Sequence, residues 1–145
     1  MCLTLYLASL DEQPLRQSAE ISVEAVQPAA ELVRQWFSLP FVRFIGAYTG
    51  CSCGFRFVNA DEPVEYYEGM FNESGSEQRE SMESLVVLIR EHVALGGEVE
   101  MYPLWNDKVD VRPKGTIELR ASALDPRSFF FVEQFFYRVY GEKRA

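Results

Sequence analysis

The sequence predicts an α/β chain of the α+β type, a two-layer sandwich in which a mixed sheet carries two main helices on one face. Three observations lead there. Short apolar stretches alternate with turn residues in the manner of strands. Two segments carry apolar residues at helical spacing. The resulting order, β-β-α-β-β-α-β-β-β, lets helical stripes bury against a sheet with few loose edges.

Leu3 to Ala8 (Leu-Thr-Leu-Tyr-Leu-Ala) reads as the first strand, and Glu20 to Val26, with Ile21, Val23 and Ala25 on one face, as a short second one. Pro28 suits a first helical turn. Ala29, Leu32, Val33, Trp36 and Phe37 then follow at helical spacing until Pro40 stops the helix. Phe41 to Tyr48 is apolar on both faces apart from Arg43, as a central strand would be. The glycines of Gly50-Cys51-Ser52-Cys53-Gly54 suggest a sharp turn into a strand over Phe55 to Val58, and hence a hairpin.

Asn59 to Glu80 holds Asp61, Glu62, Glu65, Glu68, Glu73, Glu77 and Glu80 against the single cation Arg79. Such a run reads as a solvated loop; a carboxylate metal site is disfavoured because no EF-hand spacing is present. Ser76 to Leu95 is the long helix, with Met82, Leu85, Val86, Ile89 and Val93 in one stripe and Gly96-Gly97 at its end. Glu98 to Trp105 is a strand whose Pro103 points to an edge or a strand end. Thr116 to Arg120 is another. Phe129 to Tyr140 completes the sheet as a long aromatic strand, although Glu133 and Gln134 fit neither a strand nor a helix pattern.

All 145 residues read as a single domain, 1–145, with no internal repeat and no linker. At this length folding buries roughly 68% of the surface exposed by the unfolded chain, so a core needs no staple. With 11 Phe, 7 Tyr and 2 Trp there is ample aromatic bulk to fill it.

Charge and composition exclude some functions. The net charge of -8, from 22 acidic and 14 basic residues, repels phosphate backbones and anionic membrane surfaces. Lys143-Arg144 is the one adjacent cationic pair in the tail, so no nucleic-acid partner is expected. No apolar run approaches the length of a membrane span, so no membrane partner is expected either. Met1 to Leu10 lacks a positive n-region and runs directly into Asp11-Glu12, unlike a signal peptide. Three cysteines without an export signal read as free thiols in a cytoplasmic protein.

The chemical accent falls on those thiols. Cys51 and Cys53, two apart, can point the same way in an extended segment and reach one soft metal ion. Cys2 and the single histidine, His92, would complete a tetrahedral shell, with zinc the natural occupant. A single C-x-C is weakly specific. Taken alone, Cys2 reads more readily as a small buried hydrophobe, and His92, on the helix flank, as a packed, hydrogen-bonded side chain. Strand direction decides whether the shell can close. If the first strand runs antiparallel to Phe41–Tyr48, Cys2 meets Cys51; if parallel, Cys2 lies roughly 20 Å away at about 3.3 Å per residue.

Two other chemistries compete. A disulfide across C-x-C would be strained and easily reduced, which allows a redox role with the third thiol as attacker or resolver. Cys2, exposed by removal of Met1, could act as an N-terminal nucleophile, but no larger four-layer fold or oxyanion hole is suggested. A non-catalytic interaction domain with a protein partner is the alternative of a different class. It is motivated by the aromatic content, the acidic stretch and the lack of any triad, phosphate loop or paired acid/base signature.

Met1-Cys2 leading into an apolar strand, with Gly50-Cys51-Ser52-Cys53-Gly54-Phe55 after an aromatic strand, resembles an uncharacterised family of small bacterial proteins. Some members of that family carry a histidine just before the Gly-Cys pair, where this chain has Tyr48-Thr49, which weakens any metal role that needs that histidine. The resemblance supports the cluster as a unit and implies no activity.

Overall fold

A computed structural model describes residues 2–61 and 75–141. Much of the acidic stretch, residues 62–74, and the Lys143-Arg144 pair lie outside the described residues. The chain forms β1 (Leu3–Ser9), β2 (Arg16–Gln17), β3 (Ile21–Glu24), β4 (Phe41–Ala47), β5 (Phe57–Val58), α1 (Ser76–Gly96), β6 (Glu98–Trp105), β7 (Gly115–Arg120), β8 (Phe131–Val132) and β9 (Phe135–Tyr140). Among the described residues, three 3-10 segments, Pro28–Trp36, Ser52–Gly54 and Ala121–Ala123, complete the regular structure.

Seven strands make one mixed sheet in the order β2-β3-β4-β1-β6-β9-β7. Every neighbouring pair is antiparallel except β7 with β9. β1 is central, and all seven of its residues are buried, because its apolar side chains serve both faces. Leu5 and Leu7 join Ile45, Met101 and the α1 stripe of Met82, Leu85, Val86, Ile89 and Val93 in one core. Tyr6 and Ala8 join Val42, Tyr102 and Leu104 in a second core on the opposite face, with Ala30 and Val33 of the Pro28–Trp36 segment. The mixed sheet with two main helical segments is therefore as expected, but the two segments divide between the faces instead of sharing one.

Pro28–Trp36 winds as a 3-10 helix. Its buried residues Ala30 and Val33 and the half-buried Trp36 lie three apart, which matches three residues per turn, and Leu32 is left 60% exposed. The Trp36 indole donates to the Val109 carbonyl at 3.2 Å.

Three further expectations are corrected. β5 forms no hairpin with β4; it pairs in parallel with β8 as a separate two-stranded sheet. The Ser52–Gly54 turn redirects the chain, and the buried Arg56 then fixes it, its guanidinium donating to the carbonyls of Pro126 at 3.1 Å and Phe129 at 3.0 Å. The long aromatic strand is broken by Glu133 and by Gln134 at φ 68°, the two residues that fit no pattern. The Gln134 N–H is used there by the Pro103 carbonyl, at 2.7 Å. Pro103 itself stands within central β6, opposite Leu5 of β1. Its carbonyl points to Gln134, so the side lacking an N–H faces the flank where the β9 ladder has already ended, at Met101–Tyr137.

Candidate functional site: three thiols at a strand opening

β1 runs antiparallel to β4, with Leu5 opposite Ile45 and Ser9 opposite Phe41. The start of β1 therefore lies beside the end of β4, the arrangement in which Cys2 meets Cys51. Beyond Leu5–Ile45 the two strands part, and the Cys51-Ser52-Cys53 turn enters the gap.

The turn closes on β4 through its own backbone. The Ala47 N–H donates to the Cys51 carbonyl at 3.0 Å, and the Gly50 N–H to the Ala47 carbonyl at 2.9 Å. Gly50 holds φ 82°, a left-handed conformation that favours glycine. Gly54 serves close approach: a Cβ there would lie 2.7 Å from that of Ala47 and 2.9 Å from the Tyr48 ring.

β1 takes its missing partners from the side chains of the turn. The Leu5 N–H donates to Ser52 Oγ at 2.8 Å, and Ser52 Oγ donates onward to the Ile45 carbonyl at 2.6 Å. The hydroxyl thus relays a bond between two residues that face each other across the ladder. Two residues back along β1, the Leu3 N–H donates to Cys53 Sγ at 3.1 Å. The Cys2 carbonyl is fixed from the other side by the Asn106 N–H at 3.0 Å. The approach of α1 is pinned nearby by buried Ser81, which accepts from the Tyr48 N–H at 3.0 Å and donates to the Glu20 carbonyl at 2.7 Å.

These constraints bring the three sulfurs within 4.8 Å of one another, all on half-buried residues. Thr49 Oγ1 lies 3.6 Å from Cys51 Sγ and donates to the Cys51 carbonyl at 2.8 Å. Burial pushes the Cys51 thiol up, but the hydrogen bonds from Thr49, Cys53 and Cys2 outweigh it and leave its pKa below the ordinary value. Cys53 goes the other way, pushed up to about 11 chiefly by burial, with its neighbours Cys51 and Cys2 adding to the rise and the Leu3 N–H opposing it. Converging thiols resist a shared negative charge, which a cation among them would cancel.

Tetrahedral zinc with Zn–S bonds of about 2.3 Å needs sulfurs roughly 3.8 Å apart, so a small inward movement would complete three corners. His92 does not supply the fourth. It sits near the far end of α1, among Glu91, Arg16 and Asp11, whereas Cys2 precedes the opposite end of β1 from Asp11. The helix flank that carries it packs toward β2 and β3, away from the strand opening. Among the described residues the cluster consists of the three cysteines alone.

Ser52 is the participant that the sequence reading missed. Placed between two cysteines and flanked by glycines, it reads as a spacer, and only the splayed ladder shows its hydroxyl bridging two strands.

Fold and site together define an α+β protein with a mixed seven-stranded sheet and a three-thiol cluster at one strand opening. No family model matches the chain, and neither a curated protein nor a solved structure does. Among the described residues no helix is long and apolar enough to cross a membrane.

Proposed function

We propose that Cys2, Cys51 and Cys53 form a thiolate site for a soft metal ion, zinc being the ion whose bond lengths the spacing suits, in a small cytoplasmic protein. The observation that carries this reading is the convergence of three sulfurs within 4.8 Å from two separate chain segments. Soft thiolate ligands favour zinc or monovalent copper over hard cations. The Leu3 N–H on Cys53 Sγ is the kind of outer donor that steadies a metal-bound thiolate. Three protein ligands would leave the fourth tetrahedral position to water or an incoming ligand. Reduced thiols fit a reducing compartment.

Metal analysis of natively purified protein tests the proposal. One ion per chain, lost in Cys51→Ser and in Cys2→Ser, is the expected result. Three freely titrating thiols and no metal, in protein purified anaerobically without chelators and then offered zinc, would overturn it.

A second reading, an interaction domain with structural cysteines, draws on the exposed apolar side chains Leu10, Leu15 and Val87. It predicts that cysteine substitutions leave partner binding unchanged.

A further inference from the structure

Away from the thiols, β2 and the flank of α1 enclose a cavity of about 210 Å³ whose walls include Gln13, Arg16, Val23, Leu88, Glu91 and His92. Gln13 is 1% exposed, and among the described residues neither its amide nitrogen nor its amide oxygen meets a hydrogen-bond partner. A buried polar group left unmatched costs about 1–3 kcal/mol, and native structures keep few of them. Here both ends of one amide are unmatched. Its backbone is held, because the Arg43 guanidinium donates to the Gln13 carbonyl at 3.2 Å. Both amide atoms are sealed from the cavity as it stands, and a change of side-chain rotamer, with the chain unmoved, brings the amide to it.

The remaining walls narrow the ligand chemistry. Arg16 brings a positive charge and Glu91 a negative one, while Val23 and Leu88 are buried and apolar. His92 is half-buried, and burial lowers its pKa, with Glu91 and Asp11 opposing that shift and Arg16 adding to it. The imidazole is therefore neutral at neutral pH, offering one donor and one acceptor. The space corresponds to about seven waters at roughly 30 Å³ each, below the range of drug-sized pockets.

We infer that this cavity binds a small α-amino acid with a terminal carboxamide, its carboxylate toward Arg16, its ammonium toward Glu91 and its amide paired with that of Gln13. Opposite charges in one small space match a zwitterion better than a simple anion or cation. An amide both donates and accepts, so the reciprocal partner for Gln13 is another amide. The inference is independent of the thiol site.

Titration of the full chain with L-glutamine and L-asparagine tests it, followed by NMR at the His92 ring and the Gln13 side-chain amide. Saturable shifts at both positions are expected, with L-leucine binding about tenfold more weakly, the worth of one net hydrogen bond. Gln13→Leu removes the preference for the amide ligands, and the exposed Arg16→Ala weakens all amino acids alike without disturbing the fold. Absence of saturation up to about 10 mM, the weak end of specific binding, overturns the inference. So does equal binding of L-leucine, and so does a Gln13→Leu protein that keeps the amide preference. Should Gln13→Leu fail to fold, Arg16→Ala and the leucine comparison decide the matter alone.

Discussion

Replacing Ser52 by alanine tests how the thiol turn is attached to the sheet. The side chain is fully buried, and its hydroxyl serves the Leu5 N–H at 2.8 Å and the Ile45 carbonyl at 2.6 Å. Alanine leaves one buried donor and one buried acceptor without partners, at about 1–3 kcal/mol each. Part of this is offset because the hydroxyl no longer has to be desolvated, so a net loss of about 2–4 kcal/mol is expected. Against a total stability of roughly 5–15 kcal/mol that is a large fraction. With a urea m-value of about 2 kcal/mol per molar, a loss of 3 kcal/mol lowers the unfolding midpoint by roughly 1.5 M. Equilibrium urea unfolding followed by tryptophan fluorescence reads this, with the exposed Ser122→Ala as the reference. The variant also loosens the contact between Leu3 and Cys53, so Cys53 alkylates faster than in the parent protein. A midpoint shift below about 0.3 M would mean that β1 and β4 close directly behind the missing hydroxyl, and the account of the inserted turn would be wrong.

The other predictions concern neighbouring constraints and the thiols themselves. Glu100 is fully buried and accepts from the Ser38 N–H at 2.9 Å, the Ser38 hydroxyl at 2.8 Å and the Leu39 N–H at 2.8 Å, with Arg138 Nε 3.7 Å away. Glu100→Ala should therefore lower stability by about 2–4 kcal/mol in thermal denaturation, and Ser38→Ala by roughly 1 kcal/mol. Gly54→Ala places a methyl against Ala47 and Tyr48 and should cost about 1–3 kcal/mol; unchanged thermal stability would show that the turn has slack. In timed alkylation near pH 8 with mass-spectrometric mapping, Cys51 should react first and Cys53 last, because hydrogen bonds favour the Cys51 thiolate whereas burial disfavours that of Cys53. The same shifts act on metal-free stability in opposite directions. The contribution of Cys53 is full below the ordinary thiol range and disappears as pH rises through about 11. That of Cys51 is present above the ordinary range and disappears as pH falls through its lowered value. Guanidinium midpoints measured from neutral pH to about pH 11 should thus fall at the alkaline end, and Cys53→Ala should flatten that fall.

Sheet and helix were legible where side-chain periodicity and burial agree. Both faces of β1, the Glu98–Trp105 strand and the five-residue stripe on α1 all follow from apolar spacing, and all are buried except Glu98 and Trp105 at the strand's ends. What periodicity leaves open is which layer an element joins. The Pro28–Trp36 segment has an apolar stripe compatible with either face, and its assignment depends on Tyr6, Val42 and Tyr102 presenting the matching surface. Pro103 misled because a proline is costly only where its missing N–H faces a ladder, and no local pattern reports which flank that is. The thiol cluster was legible as three candidates with a stated geometric condition, antiparallel pairing of β1 and β4, and that condition is met. His92 shared their chemistry but not their place, since its helix approaches the sheet with that flank turned toward β2 and β3.

The origins of the three sulfurs have a consequence for folding. Cys51 and Cys53 are neighbours in any conformation of the chain, whereas Cys2 joins them only once β1 has docked beside β4. An unfolded chain thus offers two ligands and the native one three, and any ion that prefers three works as a removable staple on the centre of the sheet. Its grip would rise with free ion concentration, so the melting temperature of this domain would track metal supply with no change in its own sequence.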